Sequence, residues 1–86
     1  MTGRFEGRRA IVTGAAGGVG RSTVELLEDE GATVVGLDLT AGDGVLACDV
    51  SDEVSVRDAV AEAAARMGGI DVVVNVGVAV DINVNR

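Results

Sequence analysis

Thr13-Gly14-Ala15-Ala16-Gly17-Gly18-Val19-Gly20 decides how this chain is read. It follows a short apolar run, Ala10-Ile11-Val12, and opens into residues with helical spacing. Each glycine in such a turn has its own use. Gly14 permits the sharp exit from the strand, Gly18 lets the backbone approach an anion with no Cβ in the way, and Gly20 lets the helix pack closely on the sheet. The free N–H groups of the helix's first turn face the anion, and the helix dipole adds to the attraction. Glycines alone are a weak signal, because turns and caps use them for purely conformational reasons. Placed between a strand and a helix inside a βαβ unit, they form the phosphate cradle of a dinucleotide.

The flanking segments predict the rest of the architecture. Arg9–Thr13 reads as a first strand, and Gly18–Glu30 as a helix whose apolar face is Val19, Thr23, Leu26 and Leu27, stopped by a left-handed Gly31. Thr33–Asp38 is a second strand, apolar enough to be buried on both faces as in a parallel sheet. Ala41–Gly44 turns into a short third strand, Val45–Cys48. Ser51 is expected to cap a second helix, with Asp52 and Glu53 against its positive end. Val56, Val60, Ala63 and Met67 line that helix's buried face, and Gly68-Gly69 ends it. Ile70–Asn75 is a fourth strand. Right-handed crossovers then give strand order 3-2-1-4 in an open sheet covered on both faces. The fold class is α/β, a truncated Rossmann-type doubly wound parallel sheet, with residues 1–86 as one partial dinucleotide-binding domain. The segment from Gly77 to Arg86 is read as either a helix start or an irregular tail.

Composition narrows the function. A chain of 86 residues has a marginal core in isolation. Its apolar content of 48% is almost wholly aliphatic, with Phe5 the only aromatic residue. A net charge of -7 with no basic cluster excludes a nucleic-acid partner. No run approaches the roughly 20 apolar residues of a membrane span, and the N-terminus has no apolar signal-peptide core, so a cytoplasmic location is expected. Cys48 stands alone, without a disulfide or metal-binding partner, and reads as a small buried hydrophobe. The chain has no Tyr, Lys, His, Trp or Pro, which removes most of the usual acid–base side chains.

Four further residues fall at the carboxyl edge of the sheet, where ligands bind in open α/β folds. Asp38 ends strand two, 18 residues after Gly20, near the offset at which an acid hydrogen-bonds the adenosine ribose of NAD. The same carboxylate repels a 2′-phosphate. No Arg or Lys lies within the glycine turn or directly after Asp38 to receive one, so NAD is favoured over NADP. Asp49 is placed to bond an adenine amino group while Val50 packs on the ring, or else to close the loop. Asn75 could touch a ribose or satisfy neighbouring backbone groups.

These residues resemble the short-chain dehydrogenase/reductase family from Gly7 to about Gly77. Thr13-Gly14-x-x-x-Gly18-x-Gly20 is similar to that family's cofactor turn, Asp38 to its NAD-selecting acid and Asp49-Val50 to its adenine-binding pair. Ile70–Asn75 resembles the strand leading to its Asn-Asn-Ala-Gly motif, although Asn75-Val76-Gly77-Val78 stands here and only Asn75 matches. The cofactor-contacting set is then Gly14, Gly17, Gly18, Val19, Gly20, Asp38, Leu39, Asp49, Val50, Asn75 and Gly77. The resemblance implies hydride transfer between NAD(H) and an alcohol or ketone, through a catalytic Ser and a Tyr-x-x-x-Lys motif in a second half of the family fold. These 86 residues contain no Tyr-x-x-x-Lys, so no catalytic residue is assigned; Asn83, in Asp81-Ile82-Asn83-Val84-Asn85, is not taken as one.

Three functional classes compete. The first is the NAD-binding portion of an oxidoreductase, which meets its alcohol or ketone only where the catalytic half is supplied. The second is a catalytically inactive NAD-binding module, whose bare fourth strand offers an edge for pairing into a homo-oligomer or with a partner chain. The third is an S-adenosylmethionine-binding Rossmann domain, disfavoured by the glycine spacing. Phosphoryl transfer by a P-loop requires a lysine after the glycines, and none is present.

Overall fold

A computed structural model describes residues 3–76. Four strands, β1 (Arg9–Thr13), β2 (Thr33–Asp38), β3 (Val45–Ala47) and β4 (Val72–Asn75), form one sheet in the order β3-β2-β1-β4. Every pairing is parallel, with Val12 level with Gly36 and Val74 and Thr13 level with Leu37 and Asn75. Strand alternation divides the core between the two faces. Ala10 and Val12 point towards α1 (Gly18–Asp29), where Ala15, Leu27 and Ala32 join them. Ile11, Val35 and Leu37 point the other way and meet Val56, Ala59 and Ala63 of α2 (Glu53–Met67). Ile11, Leu37 and Val12 are completely buried, and such side chains stabilise a fold by about 1.5–3 kcal/mol each. The predicted strand order is therefore present. β1 is its centre, and the chain's direction of winding reverses between β1 and β4.

Two local expectations are corrected. The buried stripe of α1 runs through Gly20, Val24 and Leu27, while Val19 and Leu26 are 71% and 60% exposed. Leu27 is buried as expected, whereas the Val19-Thr23-Leu26 row expected beside it gives way to Gly20-Val24-Leu27, one residue or about 100° of helix rotation further on. Gly20 selects between them, because the helix approaches the sheet most closely where it carries no side chain. At the second helix, Asp52 is the cap, its carboxylate accepting from the Val54 N–H at 3.0 Å. Ser51 is instead drawn to Asp49, donating to Asp49 Oδ1 from both its hydroxyl and its N–H. Val56 and Ala63 are buried as expected, joined by Ala59, with Val60 and Met67 half-buried. Gly68 closes α2 in the left-handed conformation, at φ 80°.

The connection between β2 and β3 spans only residues 39–44 and contains no helix. Parallel neighbours usually need a crossover of a dozen or more residues. Here a narrow turn bridging Gly42 and Val45 suffices. Cover on that face therefore stops at α1, leaving a groove of about 650 Å³ between Val24 and Glu28 of the helix and the 41–45 turn.

At the opposite, amino edge of the sheet, Arg9 and Asp71 lock β1 to the chain entering β4. The Arg9 backbone N–H and Nε both donate to Asp71 Oδ2 at 2.9 Å, and the Asp71 N–H donates to the Arg9 carbonyl. Arg9 Nη1 also reaches the Gly68 carbonyl at the end of α2. The side-chain hydrogen bond from Arg9, followed by that from its backbone, holds the Asp71 carboxyl down at about 2. A carboxyl depressed by folding contributes stability that is complete above its ordinary value and lost as pH falls through the folded one. Asp71→Asn should therefore lower the thermal midpoint by several degrees at neutral pH. It should also flatten the loss of stability between about pH 4 and pH 2, followed by circular dichroism. An unaltered acid limb would remove Asp71 from the cause.

Candidate functional site

The loop leaving β1 folds over the carboxyl ends of the central strands. Gly14 takes a φ of 69° and donates its N–H to the Leu37 carbonyl at 2.9 Å. A Cβ on Gly14 would lie 2.6 Å from the Val76 carbonyl oxygen, so both its dihedral and its surroundings exclude a side chain. A Cβ on Gly20 would collide with the Gly14 carbonyl, which explains why that residue is buried directly beneath the turn. Gly18 differs from both, since a Cβ there meets nothing within 4 Å and the space above it is open. Gly17 is the N-cap of α1, with extended backbone. Gly14 and Gly20 thus shape the turn, while Gly17 and Gly18 present its outer surface.

α1 begins without a side-chain cap and without an acidic residue in its first turn. α2, in the same molecule, has both, in Asp52 and Glu53. With Gly17 at the cap the helix forgoes only a few tenths of a kcal/mol relative to a side-chain cap, and its first N–H donors are left without an intramolecular acceptor. Those donors and the positive end of the helix dipole are directed at the space above Gly18, an arrangement suited to an anion.

Asp38 stands at the end of β2 beside this turn. Its Oδ2 accepts from the Ala16 N–H at 2.9 Å and its Oδ1 from the Leu39 N–H at 2.7 Å. Leu39 is 69% exposed. With Thr13, Gly14, Cys48, Val50 and Val76, these two residues line a cleft of about 200 Å³ along the carboxyl edge. Val50 is half-buried against the α2-side core. Asp49 does not line the cleft; it lies just outside it, and its N–H donates to Ser55 Oγ. The bonds from Ser51 hold the Asp49 carboxyl below its ordinary value, the hydroxyl contributing more than the N–H. Both reach Oδ1, so among the described residues no bond occupies Oδ2. Val19 is exposed at the start of α1. Gly77 and the Asp81–Asn85 segment lie outside the described residues.

One feature of the site escapes sequence reading. Thr13 is buried, and its hydroxyl donates towards Asn75 Oδ1 at 3.0 Å while accepting from the Val76 N–H at 3.3 Å. The ends of β1 and β4 are thus tied together where the winding of the sheet reverses. A buried hydroxyl left unpaired costs about 1–3 kcal/mol, so this link is structural as well as local. Asn75 Oδ1 is engaged in it by a side chain, and no described hydrogen bond joins the Asn75 side chain to a backbone group. The readable signal is a Thr closing one strand and an Asn closing another, in matching register. Cys48 is buried as expected, and burial pushes its thiol up, away from the reactive thiolate. No group of His, Cys, Asp or Glu among the described residues is arranged to hold a metal ion. No described helix is long and apolar enough to cross a membrane.

Comparison with known proteins places this geometry in a family. Residues 8–85 match the short chain dehydrogenase family model. The (+)-borneol dehydrogenase 1 of Salvia officinalis is 42% identical over 81 residues, covering 80% of this chain and 31% of that protein. A 2,5-dichloro-2,5-cyclohexadiene-1,4-diol dehydrogenase of Sphingobium indicum is 40% identical over 79 residues, covering 78% of this chain and 32% of its own length. Among solved structures, a short chain dehydrogenase from Mycobacterium smegmatis superposes with a TM-score of 0.81 at 28% identity, covering 86% of this chain and 37% of that one. A 3-ketoacyl-(acyl-carrier-protein) reductase from Brucella melitensis, complexed with NADH, superposes with a TM-score of 0.73 at 32% identity, covering 80% and 33%. The chain spans about a third of the length of the curated relatives it matches. With the family model matched over nearly all of its residues, and with the glycine turn, uncapped helix and parallel sheet that go with it, the chain belongs to the short-chain dehydrogenase family.

Proposed function

We propose that this chain holds the adenosine and pyrophosphate of NAD across the carboxyl edge of its sheet, as the cofactor-binding portion of an oxidoreductase. The uncapped N-terminus of α1 beneath the open space at Gly18 carries this reading, because it supplies donors and room where a pyrophosphate belongs. The adenosine then lies in the cleft between Leu39 and Val50, with the Asp49 carboxylate accepting from the adenine amino group. Asp38 accepts from the ribose hydroxyls, which favours NAD over NADP. The relative complexed with NADH supports the choice of a nicotinamide dinucleotide.

NAD supplies the hydride chemistry when bound; the residues here bind and orient it. Protonating a carbonyl or deprotonating an alcohol needs an acid–base group, and these 86 residues contain no Tyr, Lys or His. The proposed reaction, hydride transfer between NAD(H) and an alcohol or ketone, takes its acid–base group from a Tyr-x-x-x-Lys half that these residues do not contain. The 86-residue chain mixed with NADH and a panel of ketones should bind the dinucleotide without oxidising it, read by calorimetry and by absorbance. Turnover by the chain alone would show that acid–base machinery had been overlooked, and preferential binding of S-adenosylmethionine would overturn the cofactor.

Gly18→Val should reduce NAD affinity at least a hundredfold while leaving the thermal midpoint nearly unchanged, since the added side chain meets no protein atom within reach of its Cβ. Normal binding by this variant would mean that the cradle lies elsewhere. Asp38→Ala should lower the NAD-to-NADP affinity ratio by roughly tenfold or more, consistent with one charge-assisted hydrogen bond and the removal of a like charge. An unchanged ratio in parallel titrations would count against its contact with the ribose.

A further inference from the structure

Asp38 is engaged before any ligand arrives. Its Oδ2 accepts from the Ala16 N–H across 22 positions of sequence, and its Oδ1 accepts from the neighbouring Leu39 N–H. Ala16 sits midway along the turn between Gly14 and Gly17 and is exposed. Burial therefore gives its amide no shelter, and the carboxylate is its acceptor. The Gly14 and Ala15 amides fasten the start of the turn to the Leu37 carbonyl, and the Gly17 N–H reaches the Gly14 carbonyl at 3.3 Å. Ala16 is thus the point at which β2 grips the outer part of the loop.

We propose that Asp38 is a positioning residue for the glycine turn, holding Ala16 so that the amides at the start of α1 are set for the pyrophosphate before the dinucleotide binds. This rests on the dinucleotide reading above and adds a second role to Asp38. An ionised carboxylate offers about four acceptor sites. Two are occupied by Ala16 and Leu39, and the remaining two match the two vicinal hydroxyls of a ribose. Gripping the loop and recognising the sugar are therefore compatible in a single side chain. A carboxylate that only recognised the sugar would affect ligands bearing those hydroxyls and no others. One that sets the turn affects every ligand that uses the pyrophosphate cradle.

The test uses the 2′,3′-dideoxyadenosine analogue of NAD, which lacks both hydroxyls, and amide hydrogen exchange on the free chain. Asp38→Ala should weaken binding of the analogue about tenfold and speed exchange at Ala16 by a similar factor, while amides of Ala10–Thr13 keep their protection. Undiminished affinity for the analogue, with the loss confined to NAD itself, would overturn the positioning role; so would unchanged exchange at Ala16. If Asp38→Ala also loses the strand amides, the same two measurements on Asp38→Asn decide. That variant keeps one acceptor oxygen, so protection at Ala16 and affinity for the analogue should fall together or be kept together, and a loss of one without the other would refute the proposal. Failure of the unaltered chain to bind either dinucleotide is a separate result, which removes the dinucleotide reading itself.

Discussion

The first turn of α1 rests on the Gly14 carbonyl with no side chain between them. This contact fixes the rotation of the helix, putting Val24 and Leu27 onto the sheet and leaving Val19 and Leu26 outside. It also sets how far the turn projects beyond β1, and so brings Ala16 within reach of Asp38. The helix start that this contact holds over the edge of the sheet is the one left without a cap. The packing constraint and the anion site are therefore one arrangement. Any residue larger than glycine at position 20 would have to lift the helix and withdraw the donors together.

On the proposed reading, the glycine turn itself would receive an anion without a positive side chain of its own. The chain carries a net charge of -7, and no arginine lies between Gly14 and Gly20. The backbone donors and the dipole of α1 act over no more than a single helical turn. Any pull they exert on an anion is therefore local, and an acidic surface elsewhere is compatible with it.

Sequence reading recovered whatever depends on neighbours a few residues apart. The strands, the glycine spacing and the strand order all follow from local patterns, as does the placement of Asp38 at the end of β2. It missed choices between equivalent local solutions and contacts between distant residues. Leu27 is on the buried face as expected, but Val19-Thr23-Leu26 and Gly20-Val24-Leu27 are equally periodic, and only the close contact at Gly20 separates them. Ser51 and Asp52 are both good caps, and the choice falls to Asp52 because Asp49 takes Ser51. Arg9 with Asp71, and Thr13 with Asn75, join residues 62 positions apart, which no local pattern encodes.

The brevity of the 39–44 connection has a kinetic side. Pairing Gly36 with Val45 closes a stretch of 9 residues, whereas pairing Ala10 with Val72 closes one of 62. The entropy of loop closure makes the second dearer by about 1.7 kcal/mol, from (3/2)RT ln(62/9). The two sides of the cleft thus differ in what it takes to assemble them: β2 and β3 join as near neighbours, while β4 must be recruited from far along the chain. The Arg9–Asp71 and Thr13–Asn75 links sit at the two ends of that expensive pairing. They hold closed the one junction that chain entropy most strongly opens.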